Sequence, residues 1–273
     1  NFLQIWATNL DFELRGTHEW IKNVFAHEFT HIVTLKAARR NWPFELGIAQ
    51  VAQLNQNPDY VFVLPFYQLA VPTWFAEGIA QFEDDRMTYE TWDTHRDMLL
   101  RMATLENDLL SYVEMGVFSR SGHHFEMSYN QGYGLVRYIG EVYGPEKVRA
   151  LAQHAGLVNF KPAFNKVLGR SANQVYDEWV AHLKTTYGVL ADSLRKTGLT
   201  EGEKIVDEGF LEYHPVYSPD GKRLAYLTNR KSDFALTELR IKDLVTGGTT
   251  TVAKGADNRF SWSPDGARLY YNR

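Results

Sequence analysis

Two histidines spaced four residues apart, with a glutamate directly after the first, form the segment His27-Glu28-Phe29-Thr30-His31. On a helix, positions i and i+4 share a face with their Cβ atoms about 5–6 Å apart. That spacing lets two imidazoles converge on one metal ion. Glu28 stands beside them, where a carboxylate can take a proton from a water polarised by the ion. The nucleophile so formed attacks a carbonyl carbon, and the pattern suits amide hydrolysis.

The flanks indicate the element that must carry this pattern. Residues 16–26 lead in as a helix, with Thr17 as N-cap and Glu19 at the positive end of the dipole. Trp20, Val24, His27 and His31 fall on one stripe, and Lys36, Arg39 and Arg40 suit the other end. A single histidine on an inner helix face is ordinarily a satisfied core residue. Two at this spacing, with a glutamate between them, favour a metal site.

A catalytic metal usually has three protein ligands and an open position. Residues 72–82, Pro-Thr-Trp-Phe-Ala-Glu-Gly-Ile-Ala-Gln-Phe, supply Glu77 as the third. Pro72 stops the preceding segment, and Trp74 to Asp84 reads as a short helix with Glu77 near its start. Gly78 costs about 1 kcal/mol of helix propensity relative to alanine. A second backbone or a substrate passing close by would account for it. Asp84 lies about 20° from the face of Glu77 and is expected to accept a ring N–H from a ligating histidine. Glu83 points about 120° away and is expected to be an exposed, solvated carboxylate.

The pair His-Glu-Phe-Thr-His and Trp-Phe-Ala-Glu-Gly-Ile-Ala resembles the signature of the gluzincin metallopeptidases, the group of thermolysin and the aminopeptidase N-type enzymes. The match to the W-x-x-E-G-x-A block of the latter is close. The resemblance implies Zn²⁺ held by His27, His31 and Glu77, with Glu28 as general base and a peptide or protein as substrate. Glu77 follows His31 by 46 residues, considerably more than in that group. An insertion between the zinc helices, and a separate family sharing the peptidase core, are therefore expected.

Residues 127–139 resemble the Y-x-x-G block that opens a later helix in aminopeptidase N-type enzymes. The resemblance implies that Tyr129 stabilises the oxyanion. Tyr133, one turn on, shares its face and is the rival, and both could instead be packing aromatics. His123 and His124 read as a solvated loop before this helix. Further on, Gly144 and Gly169 read as helix C-caps, Ser171 as an N-cap, and Val175, Trp179, Val180 and Leu183 as a buried stripe. This stretch resembles the helical tail of many gluzincins.

Composition changes after about residue 197. Pro215-Val216-Tyr217-Ser218-Pro219-Asp220-Gly221 is echoed by Phe260-Ser261-Trp262-Ser263-Pro264-Asp265-Gly266, the Ser-Pro-Asp-Gly turns being 45 residues apart. The period suits a four-stranded propeller blade with Ser-Pro-Asp-Gly as a tight turn. It resembles the repeat of TolB-type propellers. A propeller needs about four to eight blades to close, so the expectation is a chain cut at both ends. The fold class expected is α+β multidomain: a mainly helical, gluzincin-like zinc peptidase domain over 1–197, then antiparallel β-propeller blades begun but truncated over 198–273.

Bulk composition agrees. The chain has 273 residues, is 44% hydrophobic and carries a net charge of −4. It can bury a core and offers no basic stripe for nucleic acid. With no cysteine, disulfides and thiolate metal sites are excluded, leaving imidazole and carboxylate ligands. The run Val61 to Tyr67 is too short to span a membrane, which takes about 18 residues or more. Residues 60–71 are expected to wall the cleft, touch a membrane or partner surface, or form a buried connector. The TolB-like repeat and the lack of cysteine suggest a bacterial periplasmic or other extracytoplasmic setting. The competing reading is a non-catalytic interaction scaffold with a remnant zinc site, binding protein partners through the propeller.

Overall fold

The computed structural model describes residues 20–38, 47–54, 57–65, 71–87, 92, 94–116, 122–156, 159–200, 202–209, 211–230, 237–256 and 259–272. The expected N-cap Thr17, the cations Arg39 and Arg40, and the side chains of Trp20, Asp84, His123 and residues 60–70 lie outside what is described. The chain divides into two compact units, Asn1–Ser119 with His124–Gly198 and Arg120–His123 with Leu199–Arg273.

The first unit is mainly helical. Its helices are α1 (Trp20–Ala38), α2 (Thr73–Arg86), α3 (Thr94–Glu106), α4 (Gly122–Val142), α5 (Pro145–Gln153), α6 (Lys161–Leu168) and α7 (Ala172–Lys196). Between α1 and α2 the insertion forms an antiparallel hairpin, β1 (Gly47–Leu54) with β2 (Asn57–Pro65), in the register Ile48↔Leu64 to Ala52↔Tyr60. The core gathers Trp74, Phe75, Met115, Tyr133, Leu135, Ile139, Leu151, Phe164 and Trp179, all essentially inaccessible to solvent.

Local chemistry explains the helix ends. The Pro72 carbonyl accepts from the Phe75 and Ala76 amides, both at 3.0 Å, so α2 starts directly behind the proline. Ser171 and Gln174 close a capping box at the start of α7. Gly169 ends α6 in the left-handed region at φ 68°. Gly144, with φ 107°, follows α4 and also serves as the N-cap of α5. Val175, Trp179 and Leu183 are buried along α7, and Val180 packs partly buried against the same core.

Two expectations are corrected. α4 begins at Gly122, so His123 and His124 occupy its first turn rather than a preceding loop, and Tyr129 sits well inside the helix. Glu83 is not a solvated carboxylate: Arg149 of α5 grips it in a fork, Nε to Oε1 at 3.0 Å and Nη2 to Oε2 at 2.9 Å. The fork ties α5 to α2 and matches the planar guanidinium to the carboxylate.

The second unit contains the antiparallel sheet β3 (Glu212–Tyr217), β4 (Arg223–Thr228), β5 (Glu238–Asp243) and β6 (Thr249–Lys254), in that spatial order, and the hairpin β7 (Phe260–Trp262) with β8 (Leu269–Tyr271). No closed barrel or propeller forms among the described residues. The two Ser-Pro-Asp-Gly turns are built alike. Ser218 Oγ donates to Asp220 Oδ1 at 2.6 Å and accepts from the Arg223 amide at 2.9 Å, and Ser263 does the same with Asp265 and Arg268 at the same distances. One turn reaches the other, since Arg223 Nη2 donates to the Gly266 carbonyl at 2.7 Å and its guanidinium lies over the Trp262 ring. Ser218→Ala removes the buried acceptor of the Arg223 amide. It should destabilise this unit by about 1–3 kcal/mol, seen as faster hydrogen exchange at that amide, with exchange in α7 unchanged.

Candidate metal centre

α1 is unusual in what it hides. Its buried positions include Asn23, Ala26, His27, Thr30 and Thr34, while Ile21, Phe25, Phe29 and Val33 are about half exposed or more. The helix packs against α2 and α5, so the face it turns to its neighbours is largely polar. That face carries the histidines. Thr30 satisfies its buried hydroxyl by donating to the Ala26 carbonyl at 2.9 Å.

His27 and His31 stand one turn apart with ring centroids 4.7 Å apart and planes at 88°. His27, Glu28 and His31 each bring a ligand atom within 4.8 Å of the others. Glu77 reaches the same rings from α2, its Oε2 lying 3.0 Å from His27 Nε2 and 3.3 Å from His31 Nε2. Two helices separated by the hairpin insertion thus converge on one point.

Imidazole and carboxylate donors gathered in this way suit a metal ion. Ligand atoms bound at about 2.0–2.1 Å in a tetrahedral shell lie about 3.3 Å from one another, close to the 3.0 Å and 3.3 Å that separate Glu77 Oε2 from the two imidazole nitrogens. Two imidazoles and a carboxylate leave a fourth position open, and Glu28 adjoins them.

Electrostatics favour the metal-ready protonation states. Burial lowers the pKa of His27, against the opposing pull of its hydrogen bond to Glu77, so the ring is neutral at physiological pH. Burial alone would raise Glu77, but its hydrogen bonds to His27 and His31 outweigh this and hold the carboxyl well below the usual range. A neutral imidazole and an ionised carboxylate are what a metal requires. Because His27 is lowered, protons compete with a cation at that ring only below its ordinary value of 6.5.

The remaining sequence candidates separate. Tyr133 is fully buried between the Trp92 ring, 5.1 Å away, and the Arg96 guanidinium, 5.6 Å from its ring. Burial, with Asp85 nearby, pushes its phenol far above the ordinary value. It is a core tyrosine. Tyr129 is partly exposed and packs on Phe125, with centroids 5.2 Å apart. Gly132, the glycine of the Y-x-x-G block, reads in the sequence only as part of that motif; its place in a helix interior is the available signal that something packs closely there.

The model of the peptidase MA superfamily matches residues 19–185. This span takes in α1, the insertion, α2 and most of α7, well over half of the chain, and the chain belongs to that superfamily. The first unit is thus a metallopeptidase-like domain, and a peptidase domain implies a peptide or protein substrate. Comparison with curated proteins and with solved structures finds no match. No helix among the described residues is long and apolar enough to cross a membrane.

Proposed function

We propose that the protein is a zinc-dependent peptidase of the gluzincin type, in which His27, His31 and Glu77 hold the metal. The observation that carries this reading is the convergence of Glu77 Oε2 on both imidazole nitrogens at ligand-to-ligand spacing. When bound, zinc supplies Lewis acidity, polarising a carbonyl and lowering the pKa of water toward about 7.

The rest is done by side chains. Glu28 takes the proton of the attacking water and delivers it to the departing amine, acting as base and then acid. The Tyr129 hydroxyl donates to the carbonyl oxygen as charge develops there. Tyr129→Phe should lower kcat by about 10²-fold without changing metal content, whereas Tyr133→Phe should leave kcat unchanged. The reverse result in steady-state kinetics on a cleaved peptide would move the role to Tyr133.

Asp84 as acceptor for a ligating ring, a TolB-like character for the second unit and an extracytoplasmic setting belong to the same proposal. The resemblance between the two Ser-Pro-Asp-Gly turns supports the repeat. Hydrolysis of a mixed peptide library, measured with and without a chelator and with zinc added back, tests the function. Chelator-sensitive cleavage restored by zinc is expected; cleavage indifferent to the chelator would reject it.

A further inference from the structure

Two glycines of the first unit sit where no side chain fits. A Cβ on Gly78 of α2 would lie 2.4 Å from the Gly132 carbonyl oxygen and 2.9 Å from Val136 Cγ2, and a Cβ on Gly132 of α4 would lie 2.4 Å from the Trp74 carbonyl oxygen. The first obstacle in each direction is backbone, which cannot rotate aside. Trp74, Gly78 and Phe82 follow one another four residues apart along α2, as do Gly132, Val136 and Gly140 along α4. Two i+4 ridges therefore interlock. Further from Glu77 the contact softens: a Cβ on Gly140 would meet only the Phe82 ring, at 2.6 Å.

Gly78 is the residue after Glu77, and Gly132 lies one turn beyond Tyr129. We infer that Gly78 and Gly132 are positioning residues: their backbone-on-backbone contact sets how deeply α2 sits against α4, and so places the Glu77 carboxylate against His27 and His31. The inference rests on the reading of those three residues as a metal site. The size of the effect decides its importance. A Cβ at 2.4 Å must retreat by 1.0 Å to reach the 3.4 Å of ordinary contact, whereas a ligand set has to be held to within about 0.5 Å. A single methyl group at the crossing exceeds that tolerance without touching a ligand.

The test compares Gly78→Ala and Gly132→Ala with Gly140→Ala, which burdens the same helix pair two turns further on. Zn²⁺ affinity is measured by calorimetry and stability by urea denaturation. Gly78→Ala and Gly132→Ala should weaken zinc by about 10–100-fold, the range found when groups that orient ligands are disturbed, while Gly140→Ala stays within about twofold of wild type at comparable stability. Equal weakening in all three, or wild-type affinity in folded Gly132→Ala, would overturn the inference.

If neither crossing variant folds, Val136→Ala and Val175→Ala serve instead. Each removes the same atoms from a fully buried valine, and only Val136 adjoins Gly78. Weaker zinc binding confined to Val136→Ala supports the positioning role, and equal effects reject it. The imidazole ¹⁵N shifts of His27 and His31 in metal-free protein give a further readout. Shifts that move in the crossing variants while wild type binds no zinc would uphold the positioning role and reject the metal reading; shifts that stay unmoved would reject the positioning role whether or not wild type binds zinc.

Discussion

Glu28→Gln is expected to retain metal and lose hydrolysis. The substitution preserves size and shape at a partly buried position beside His27 and His31, but an amide cannot accept the proton of an attacking water. General-base contributions are about 10²–10⁴-fold, and the same residue is asked to return the proton to the leaving amine, so the loss should lie at the upper end of that range. Single-turnover cleavage of a quenched peptide, paired with elemental analysis of the same sample, checks it. Substantial turnover with full metal content would remove Glu28 from the mechanism.

Glu77→Ala is expected to have the largest effect on metal. It removes a carboxylate that contacts both imidazole nitrogens, so affinity should fall by more than the roughly 10–100-fold typical of groups that merely orient a ligand. A pH signature accompanies it in metal-free protein. The folded-state pKa of His27 is lowered from 6.5, so folding favours the neutral ring and this stability drains away as pH falls below that value. Glu77 is lowered from 4.5; its contribution is complete above that value and is lost as pH falls toward the folded pKa. Wild type should therefore weaken in acid in two stages, and Glu77→Ala should lack the second. Urea denaturation between about pH 7 and pH 3 with chelator present resolves the two windows.

Much of the candidate site was legible because it is written in local spacing. The i, i+4 histidines, the proline that starts α2 and the glycine beside Glu77 are signals within one or two helical turns, and Gly78 does meet a second backbone. The interactions that sequence reading missed join distant positions. The Arg149–Glu83 fork spans 66 residues, and Tyr187 OH reaches Asp97 across 90 at 2.7 Å. No periodicity encodes such pairings. Hydrophobicity alone would turn Phe25 and Phe29 inward, but the stripe through Trp20, Val24, His27 and His31 already places them on the opposite face, and the buried His27, Asn23, Thr30 and Thr34 leave these aromatics outside. Composition changes near residue 197 because the chain before it reads in helical periods and the chain after it in short strands and turns. The first-turn placement of His124 was hidden by the glycine and histidines around it, which read as loop.

Zinc content per chain, measured by elemental mass spectrometry on wild type and Glu77→Ala purified side by side, tests most directly whether α1 and α2 build one metal site. Wild type should carry about one equivalent, as a single three-ligand centre requires, and Glu77→Ala should carry almost none after the same dialysis. Zinc retained equally by both, or absent from folded wild type, would contradict a site shared between the two helices.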